Sequence, residues 1–431
     1  MTKCKSWTLR PFAVFKDAGS NRIDLRRRIE KSIVVFVFTA IIYPGGYAQK
    51  PSSFEHFIQT VNNTPMAKRS SLVTQYLAKA EATPIIEGNE NVHLVWFGTA
   101  DTLKVEGELQ RSWAIPQVMT RIDCGDEDFF YISYTLVADA VIEYRFIADG
   151  KSVLDKKNPR VVQGFDFSDR NFFTMPKFAA SPYLKVRYGI SKGVVNQWMF
   201  KTDHSPFSNL PIWIYTPFGY SKDATYPVLY VLDGPPMLYA RPFLNVVNNL
   251  INDKKIEPIV IVFIGVEDRW TEYVSESPEF AKLVTGELVP FIEKNFQVSR
   301  APDKRGIIGA SASGHAAFVT ALRHPDVFGN MASQGGGGGG YPGLNPIANA
   351  ALDLYLTKKD KTPLRKIYTE VGTYDLEFPD QNIIFSDGVD QFNKRLTENK
   401  ISYVFNKVNG GHNATVWDQN LDKILMLFFG R

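Results

Sequence analysis

The chain has 431 residues, of which 44% are hydrophobic and 22% charged, with 49 basic and 45 acidic side chains. These values exclude a disordered chain, and the length exceeds that of one ordinary domain. Only two cysteines are present, Cys4 and Cys124. This number excludes a disulfide-rich scaffold, and no Cys/His spacing typical of zinc sites occurs, so the sequence indicates neither a metal nor another cofactor.

Residues 1–48 differ in character from the rest of the chain. Three arginines at positions 26–28 and Lys31 precede an apolar run over residues 32–43, and a Pro-Gly-Gly breaker then leads to Ala48. A basic region, an apolar core and a small residue at the end predict a cleaved signal peptide and export to the periplasm or outside the cell. The run is short for a membrane span, which needs ~20 residues, and an uncleaved anchor is the alternative.

The predicted leader also accounts for the basic character of the whole chain. Residues 1–48 hold nine of the basic and three of the acidic side chains, so the remainder has a net charge near −2. The mature protein therefore gives no reason to expect nucleic-acid binding, and no stable membrane insertion is expected after the leader is removed. The sequence does not indicate the oligomeric state.

The next two segments predict a helical lead-in followed by a small β domain. Residues 49–88 have apolar side chains at helical spacing, including Leu72 and Tyr76, and residues 89–185 change to short strands separated by turns. The strand stretches are 92–97, 129–134 and 141–146, and the turn signal Asp149-Gly150 follows the last of them. Short strands with turns and no helices between them predict a β-sandwich.

Residues 186–431 predict a doubly wound, mostly parallel sheet with helices on both faces. The stretches 211–217, 226–234 and 256–265 are nearly continuous apolar runs, as in strands buried on both faces, and a helix is predicted between them and the next strand over residues 280–295. Ligands of such sheets bind at the carboxyl ends of the strands.

A short apolar strand ends in Gly309-Ala-Ser-Ala-Ser-Gly314, and a helix-prone stretch follows it. This context fits a nucleophile elbow, a sharp turn that exposes Ser311 between small neighbours. The amide of Ala312, the residue after Ser311, is a candidate donor of an oxyanion hole. Position 313 usually carries glycine, and Ser313 as the nucleophile is the alternative interpretation.

A base and an acid follow in the chain order expected of this arrangement. His412 comes after Gly410-Gly411 and a predicted strand over residues 402–408, and an imidazole can accept and return a proton near neutral pH. Asp375 lies just past the end of an earlier predicted strand, with Glu377 and Glu370 as competing candidates for the acid.

These motifs resemble the enterochelin esterase-like branch of the α/β-hydrolase superfamily, related to feruloyl esterases and the antigen 85 mycolyltransferases. The similar stretches are 92–96, 144–146, 155–159, 226–234, Arg269 with Glu272, 309–314, 324–329, 333–335 and 410–417. The resemblance implies an α/β-hydrolase domain preceded by an immunoglobulin-like β-sandwich, with Ser311, Asp375 and His412 as the catalytic triad. It further implies Arg269, Glu272 and Trp417 as substrate-binding residues.

Two positions depart from the family pattern. The residue after Leu232-Asp-Gly234 usually supplies an oxyanion-hole amide, and Pro235 has no N–H, so the second donor is expected from Gly234, Met237 or a side chain. Six glycines, 335–340, stand where relatives carry aromatic residues.

The sequence therefore predicts a serine carboxylic ester hydrolase that acts on a small-molecule or oligomeric ester, with a catecholate siderophore as one candidate substrate. One alternative is a feruloyl- or acetyl-type esterase acting on polysaccharide, with Trp96 and Trp113 as sugar platforms. The other is a non-catalytic binding protein on a retained hydrolase fold, an interpretation motivated by Pro235 and Ser313.

Overall fold

The structure is a computed structural model that describes residues 53–80, 82–164, 168–204, 206–207, 209–336, 344–357, 364–378 and 383–431. The predicted signal peptide lies outside these residues. Within the described ranges, no helix combines the length and the apolar character needed to cross a membrane.

Two helices, α1 (Ser53–Asn63) and α2 (Met66–Lys79), occupy the segment for which the sequence predicts a helical lead-in. Both are amphipathic: Phe54 and Phe57 of α1 and Leu77 of α2 are buried. They share a core with Val95 and Phe129 of the following sheet, so the helices cover the outer face of that sheet.

Residues 85–174, called the β unit below, form two antiparallel sheets. Its strands are β1 (Ile85–Glu87), β2 (Asn91–Gly98), β3 (Leu103–Gly107), β4 (Ser112–Val118), β5 (Thr120–Asp123), β6 (Asp128–Thr135), β7 (Val141–Ala148), β8 (Lys151–Val153), β9 (Val161–Gln163) and β10 (Asp169–Thr174). One sheet has the order β1-β2-β6-β5, and the other has β4-β3-β7-β10-β9 with β8 paired to β7. Leu94 and Phe130 of the first sheet and Val105 and Ile142 of the second lie in one core, so the sheets face each other.

Residues 194–431, the α/β unit, are built on one eight-stranded sheet. Its strands, in spatial order, are β11 (Val194–Phe200), β12 (Leu210–Thr216), β14 (Val260–Ile264), β13 (Val228–Val231), β15 (Arg305–Ala310), β16 (Asn330–Gln334), β17 (Lys366–Tyr374) and β20 (Val404–Gly411). The pairs from β14 to β20 are parallel, whereas β11 and β12 pair antiparallel at one edge. A short hairpin of β18 (Glu377–Phe378) and β19 (Ile383–Ile384) follows β17.

Helices cover both faces of this sheet, which confirms the predicted α/β arrangement. They are α3 (Phe243–Asn252), α4 (Ser277–Leu283), α5 (Val289–Asn295), α6 (Ala312–Arg323), α7 (Leu344–Thr357), α8 (Phe385–Glu398), α9 (Ala414–Asp418) and α10 (Leu421–Phe429). Alternate strand residues belong to opposite cores: Val262 lies with Phe318 of α6, and Phe263 lies with Val246 of α3 and Ile424 of α10. The helical segment predicted over residues 280–295 is confirmed: α4, a π-helical turn at Val284–Leu288 and α5 follow one another without a break.

Candidate active site

Ser311 lies in a sharp turn between strand β15 and helix α6. Its backbone has φ 58° and ψ −125°, a left-handed conformation that is costly for any residue other than glycine. The Ser311 amide donates to the carbonyl of Gln334 at 2.8 Å. Gly309 must be glycine here, because a Cβ at that position would overlap the backbone of Ser313. The turn therefore has the strand-to-helix geometry of a nucleophile elbow.

The structure explains why serine is found at position 313, which usually carries glycine. Its hydroxyl is buried and both accepts from the amide of Ala310 and donates to the carbonyl of Ala310, each at 2.8 Å. These two bonds tie the first turn of α6 back to the end of β15. Among the described contacts of Ser313 there is none with an imidazole.

Ser311, His412 and Asp375 form one continuous hydrogen-bonded chain. The His412 Nε2 atom lies 2.7 Å from Ser311 Oγ, and its Nδ1 atom lies 2.7 Å from Asp375 Oδ1. Asp375 is fixed in turn by the amides of Leu376 at 2.7 Å and Gly372 at 3.2 Å. A hydroxyl, an imidazole and a buried carboxylate in this order can transfer the hydroxyl proton to the imidazole and stabilise the resulting cation.

The competing acids are bonded elsewhere. Glu370 is buried and accepts from the Tyr368 hydroxyl at 2.5 Å, and burial raises the pKa of its carboxyl to about 8. Glu377 pairs with the guanidinium of Arg111.

Two aromatic rings contact the imidazole of His412, and two glycines lie close to His412 and Ser311. Trp417 and Phe385 contact it edge-on, with ring centroids 5.0 and 5.1 Å away. A Cβ at Gly335 would lie 3.3 Å from the imidazole, and a Cβ at Gly336 would overlap the carbonyl of Ser311. Gly336 thus has no room for a side chain, whereas Gly335 is constrained by its tight contact and its φ of 60°. Residues 337–340 lie outside the described part of the chain.

The turn that carries Pro235 begins a helical segment. Asp233 has φ 55°, Pro235 is helical with φ −60° and ψ −51°, and the Met237 amide donates to the Asp233 carbonyl at 3.1 Å. The Met237 N–H is therefore already bonded, which removes it from the candidate oxyanion donors. Ala312 begins helix α6, where amide groups have no partner within the helix. Ala312 and Gly234 remain the candidate donors.

Arg269, Glu272 and Trp417, which the resemblance implies as substrate-binding residues, have contacts within the protein. Arg269 donates to both carboxylate oxygens of Asp233 at 2.8 and 2.9 Å and to the carbonyl of Ala310 at 3.1 Å. It thereby links the turn before Pro235 to the end of strand β15, directly before Ser311.

Glu272 and Trp417 are both buried. Glu272 accepts from the amides of Glu267 and Asp268 at 2.7 and 2.9 Å, and burial raises the pKa of its carboxyl. The carbonyl of Trp417 accepts from the side chain of Gln334 at 2.8 Å, while its ring packs on His412. Substrate contact by these three residues stays a prediction.

The two tryptophans considered as sugar platforms also have contacts within the β unit. Trp96 meets Phe146 edge-on with ring centroids 5.6 Å apart and packs against the core of the unit. The Arg170 guanidinium lies 4.2 Å from the centroid of the Trp113 ring and covers one of its faces.

Sequence reasoning missed two buried carboxyl groups of the β unit that reach the His412 loop. The Glu108 carboxyl accepts from the side-chain amide of Asn413, and Glu143 accepts from the Thr415 hydroxyl at 2.6 Å. The only signal in the sequence was an acidic residue inside the apolar stretch 141–146. Nothing in the sequence indicates which part of the chain this residue contacts.

The strand order and the elbow place the protein in the α/β-hydrolase class. Within that class the chain belongs to the esterase family whose sequence model, described as "Putative esterase", matches residues 204–428. It is accordingly a carboxylic ester hydrolase.

The chain is also similar in sequence or fold to the following proteins. The uncharacterized protein YjcH of Bacillus subtilis is 25% identical over 217 residues, which cover 48% of this chain and 86% of that protein. An endo-1,4-beta-xylanase/feruloyl esterase of Xylanibacter ruminicola is 28% identical over 214 residues, 45% of this chain and 26% of that protein. The enterobactin esterase FES of Shigella flexneri has a similar fold, with a TM-score of 0.63 and 19% identity, and the match covers 82% of this chain and 97% of that one.

Proposed function

We propose that the protein hydrolyses carboxylic esters through an acyl-enzyme on Ser311. The observation that carries this proposal is the chain of two 2.7 Å hydrogen bonds from Ser311 through His412 to Asp375. Ser311 Oγ attacks the ester carbonyl while its proton passes to His412 Nε2, and Asp375 holds the Nδ1–H of the resulting imidazolium.

The second half of the cycle uses the same groups in reverse. His412 returns its proton to the departing alcohol, which leaves the acyl group on Ser311. A water molecule then gives a proton to His412 as its oxygen attacks the acyl carbonyl, and the collapse of that intermediate releases the acid and restores the Ser311 hydroxyl. We assign the negative oxygen of each tetrahedral intermediate to the amides of Ala312 and Gly234.

For the substrate we favour a catecholate siderophore ester. The structural match to the enterobactin esterase of Shigella flexneri covers 82% of the chain and so extends beyond the family-matched residues into the β unit. The sequence match to the xylanase/feruloyl esterase covers only 45% of the chain. A feruloyl- or acetyl-type esterase of polysaccharide is therefore the second candidate.

Two further parts of the proposal concern the whole chain. We assign the two facing sheets of the β unit to an immunoglobulin-like sandwich, since antiparallel strands of both sheets share one core. We also propose export, with cleavage after Ala48, on the composition of residues 1–48. N-terminal sequencing of protein recovered from a Gram-negative host checks this point, with Gln49 as the expected first residue.

Hydrolysis measured on a panel of esters tests the proposed function. A catecholate trilactone, ethyl ferulate and a simple aryl acetate should be compared with the wild type and with Ser311→Ala. We expect the wild type to have its highest kcat/KM on the trilactone. Ser311→Ala should lose at least about a thousandfold in rate on every ester that the wild type cleaves, because all of them react at Ser311. Ser313→Ala is the comparison variant: it removes the two bonds to Ala310 and not the proposed nucleophile, so it should lose far less rate than Ser311→Ala.

The panel also separates the alternatives. Preference for ethyl ferulate would select the polysaccharide esterase. No hydrolysis of any ester by a folded wild type would favour the non-catalytic binding protein.

A further inference from the structure

One short turn of the β unit contacts both loops that carry the acid and the base of the proposed triad. The turn comprises residues 108–111 and follows strand β3; it begins with a single helical turn, Glu108–Gln110, and ends at Arg111 in a left-handed conformation with φ 51°. We call it the 108–111 turn.

At its start, the turn contacts the loop of His412. Glu108 is 1% exposed, and its carboxyl accepts from the Asn413 side-chain amide with one oxygen and from the Glu143 amide at 2.9 Å with the other. A Cβ at Gly411 would overlap this carboxyl, so the residues on both sides of His412 lie against Glu108.

Glu143 adds a second contact to the same loop. Its carboxyl accepts from the hydroxyl of Thr415 at 2.6 Å and from the amide of Thr415 at 3.4 Å. Arg170 lies 3.6 Å from the other oxygen of Glu143. Asn413 meanwhile caps helix α9 through its own side-chain oxygen, which accepts from Val416 at 2.7 Å. The start of α9 is therefore fixed from both sides.

At its end, the turn contacts the loop of Asp375. The Arg111 carbonyl accepts from the Glu377 amide at 2.9 Å, and the Arg111 guanidinium pairs with the Glu377 carboxylate. Glu377 is two residues beyond Asp375, so the same four residues contact both loops whose residues make the 2.7 Å bond between Asp375 and His412.

We propose that the 108–111 turn positions His412 against Asp375, with Glu108 as the principal positioning residue, so that the β unit is part of the catalytic machinery. The proposal rests on the triad assigned under the proposed function. Burial and the neighbouring Glu143 raise the pKa of the Glu108 carboxyl well above its ordinary value. A buried carboxyl at this position disfavours folding unless its hydrogen bonds are made, which ties the His412 loop to one position.

Positioning predicts a specific kinetic signature. A small displacement of His412 relative to Asp375 slows the chemical step far more than it weakens substrate binding. A shift of about 1 Å can cost about a hundredfold in rate. A role in stability alone would lower the melting temperature and leave the kinetics of the folded enzyme unchanged.

The test compares three full-length variants with the wild type. Glu108→Gln replaces one acceptor oxygen by a donor, Thr415→Val removes the hydroxyl bonded to Glu143, and Glu106→Gln is the matched control. Glu106 is likewise a buried carboxyl on β3, and it is paired with Arg145 of the neighbouring strand. For each protein, kcat and KM on an aryl ester, the rate of labelling by a fluorophosphonate and the melting temperature are measured.

For Glu108→Gln we expect kcat and the labelling rate to fall together by about tenfold or more, with KM within about twofold. Thr415→Val should show the same pattern with a smaller loss and, being nearly isosteric, serves if Glu108→Gln does not fold. Glu106→Gln should keep the wild-type kcat. Wild-type kcat in folded Glu108→Gln, whatever its melting temperature, would overturn the inference, and wild-type kcat in Thr415→Val would do so if Glu108→Gln does not fold. A wild type that the probe does not label would instead contradict the proposed triad.

Discussion

The backbone of Ser311 is the most strained element of the proposed site. A non-glycine residue at φ 58° costs on the order of 1–3 kcal/mol and persists only when its neighbours fix it. Three hydrogen bonds do so: the Ser311 amide to Gln334 and the two bonds between Ser313 and Ala310. Position 313 usually carries glycine, and the serine found here adds two hydrogen bonds that help to fix the turn.

Pro235 is the single residue that most directly challenges catalysis, and its replacement gives the first prediction. If Gly234 and Ala312 complete the oxyanion hole, an added N–H in Pro235→Leu should leave kcat within about threefold of the wild type. If the hole lacks a donor, the same change should raise kcat about tenfold or more, because such a donor contributes ~3 kcal/mol. Rates are compared well below the melting temperature of each variant, since Pro236 restricts the conformation of residue 235.

His315 predicts how stability depends on pH. It is fully buried in helix α6, where burial lowers its pKa from 6.5 to about 3, and its Nε2 atom lies 3.4 Å from the Ser277 hydroxyl. The unfolded chain takes up a proton below pH 6.5 and the folded chain does not, so stability is lost as the pH falls from 6.5 towards 3.

The measurement is urea unfolding at pH 7 and pH 5 for the wild type and His315→Leu. Between these pH values the free energy of unfolding should fall by about 2 kcal/mol more in the wild type than in the variant. Equal losses would show that the imidazole is protonated in the folded protein.

At the scale of elements, the loop after β14 connects the turn before Pro235 to the end of strand β15. Arg269 bonds to Asp233 in the turn before Pro235 and to Ala310 at the end of β15. The carboxyl of Glu272 holds the loop itself through two backbone amides. Arg269 therefore connects the residue before Gly234 to the end of the strand that leads to Ser311 and Ala312.

Arg269→Lys tests whether this residue positions the turn or binds substrate. A lysine cannot make the two parallel bonds to Asp233, so we expect kcat to fall about tenfold with KM within about twofold. A rise in KM with unchanged kcat would instead support the substrate contact that the family resemblance implies.

The elements that the sequence predicted best are those with strong local signals. The stretches 92–97, 129–134 and 141–146 lie within β2, β6 and β7, and the Gly309 to Gly314 motif lies at a strand-to-helix turn. The segment 280–295 is helical as predicted, but the sequence there gives no signal for the π-helical turn at Val284–Leu288. Arg269, Glu272 and Trp417 were placed near the site, but their bonding partners depend on how distant segments pack.

For the whole molecule, the β unit and the α/β unit meet at the proposed active site. Val141 of strand β7 belongs to the same core as Trp417 and Tyr368 of the α/β unit, and Asp139 accepts from Asn409 at 2.8 Å. The sequence predicted the two units as separate domains. Hydrophobic patterning indicates which residues form the core of each unit, but it does not indicate which residues of one unit contact the other. The partners of Glu108 and Glu143 lie about three hundred residues away along the chain, beyond the reach of any local pattern.

The central claim is that Ser311 is an activated nucleophile, and labelling with a fluorophosphonate followed by peptide mapping tests it most directly. Such a probe reacts with a serine hydroxyl only when a base activates it. We predict a single modified peptide, with the label on Ser311, and loss of labelling in folded His412→Ala. An unlabelled wild type, or a label on Ser313, would contradict the account.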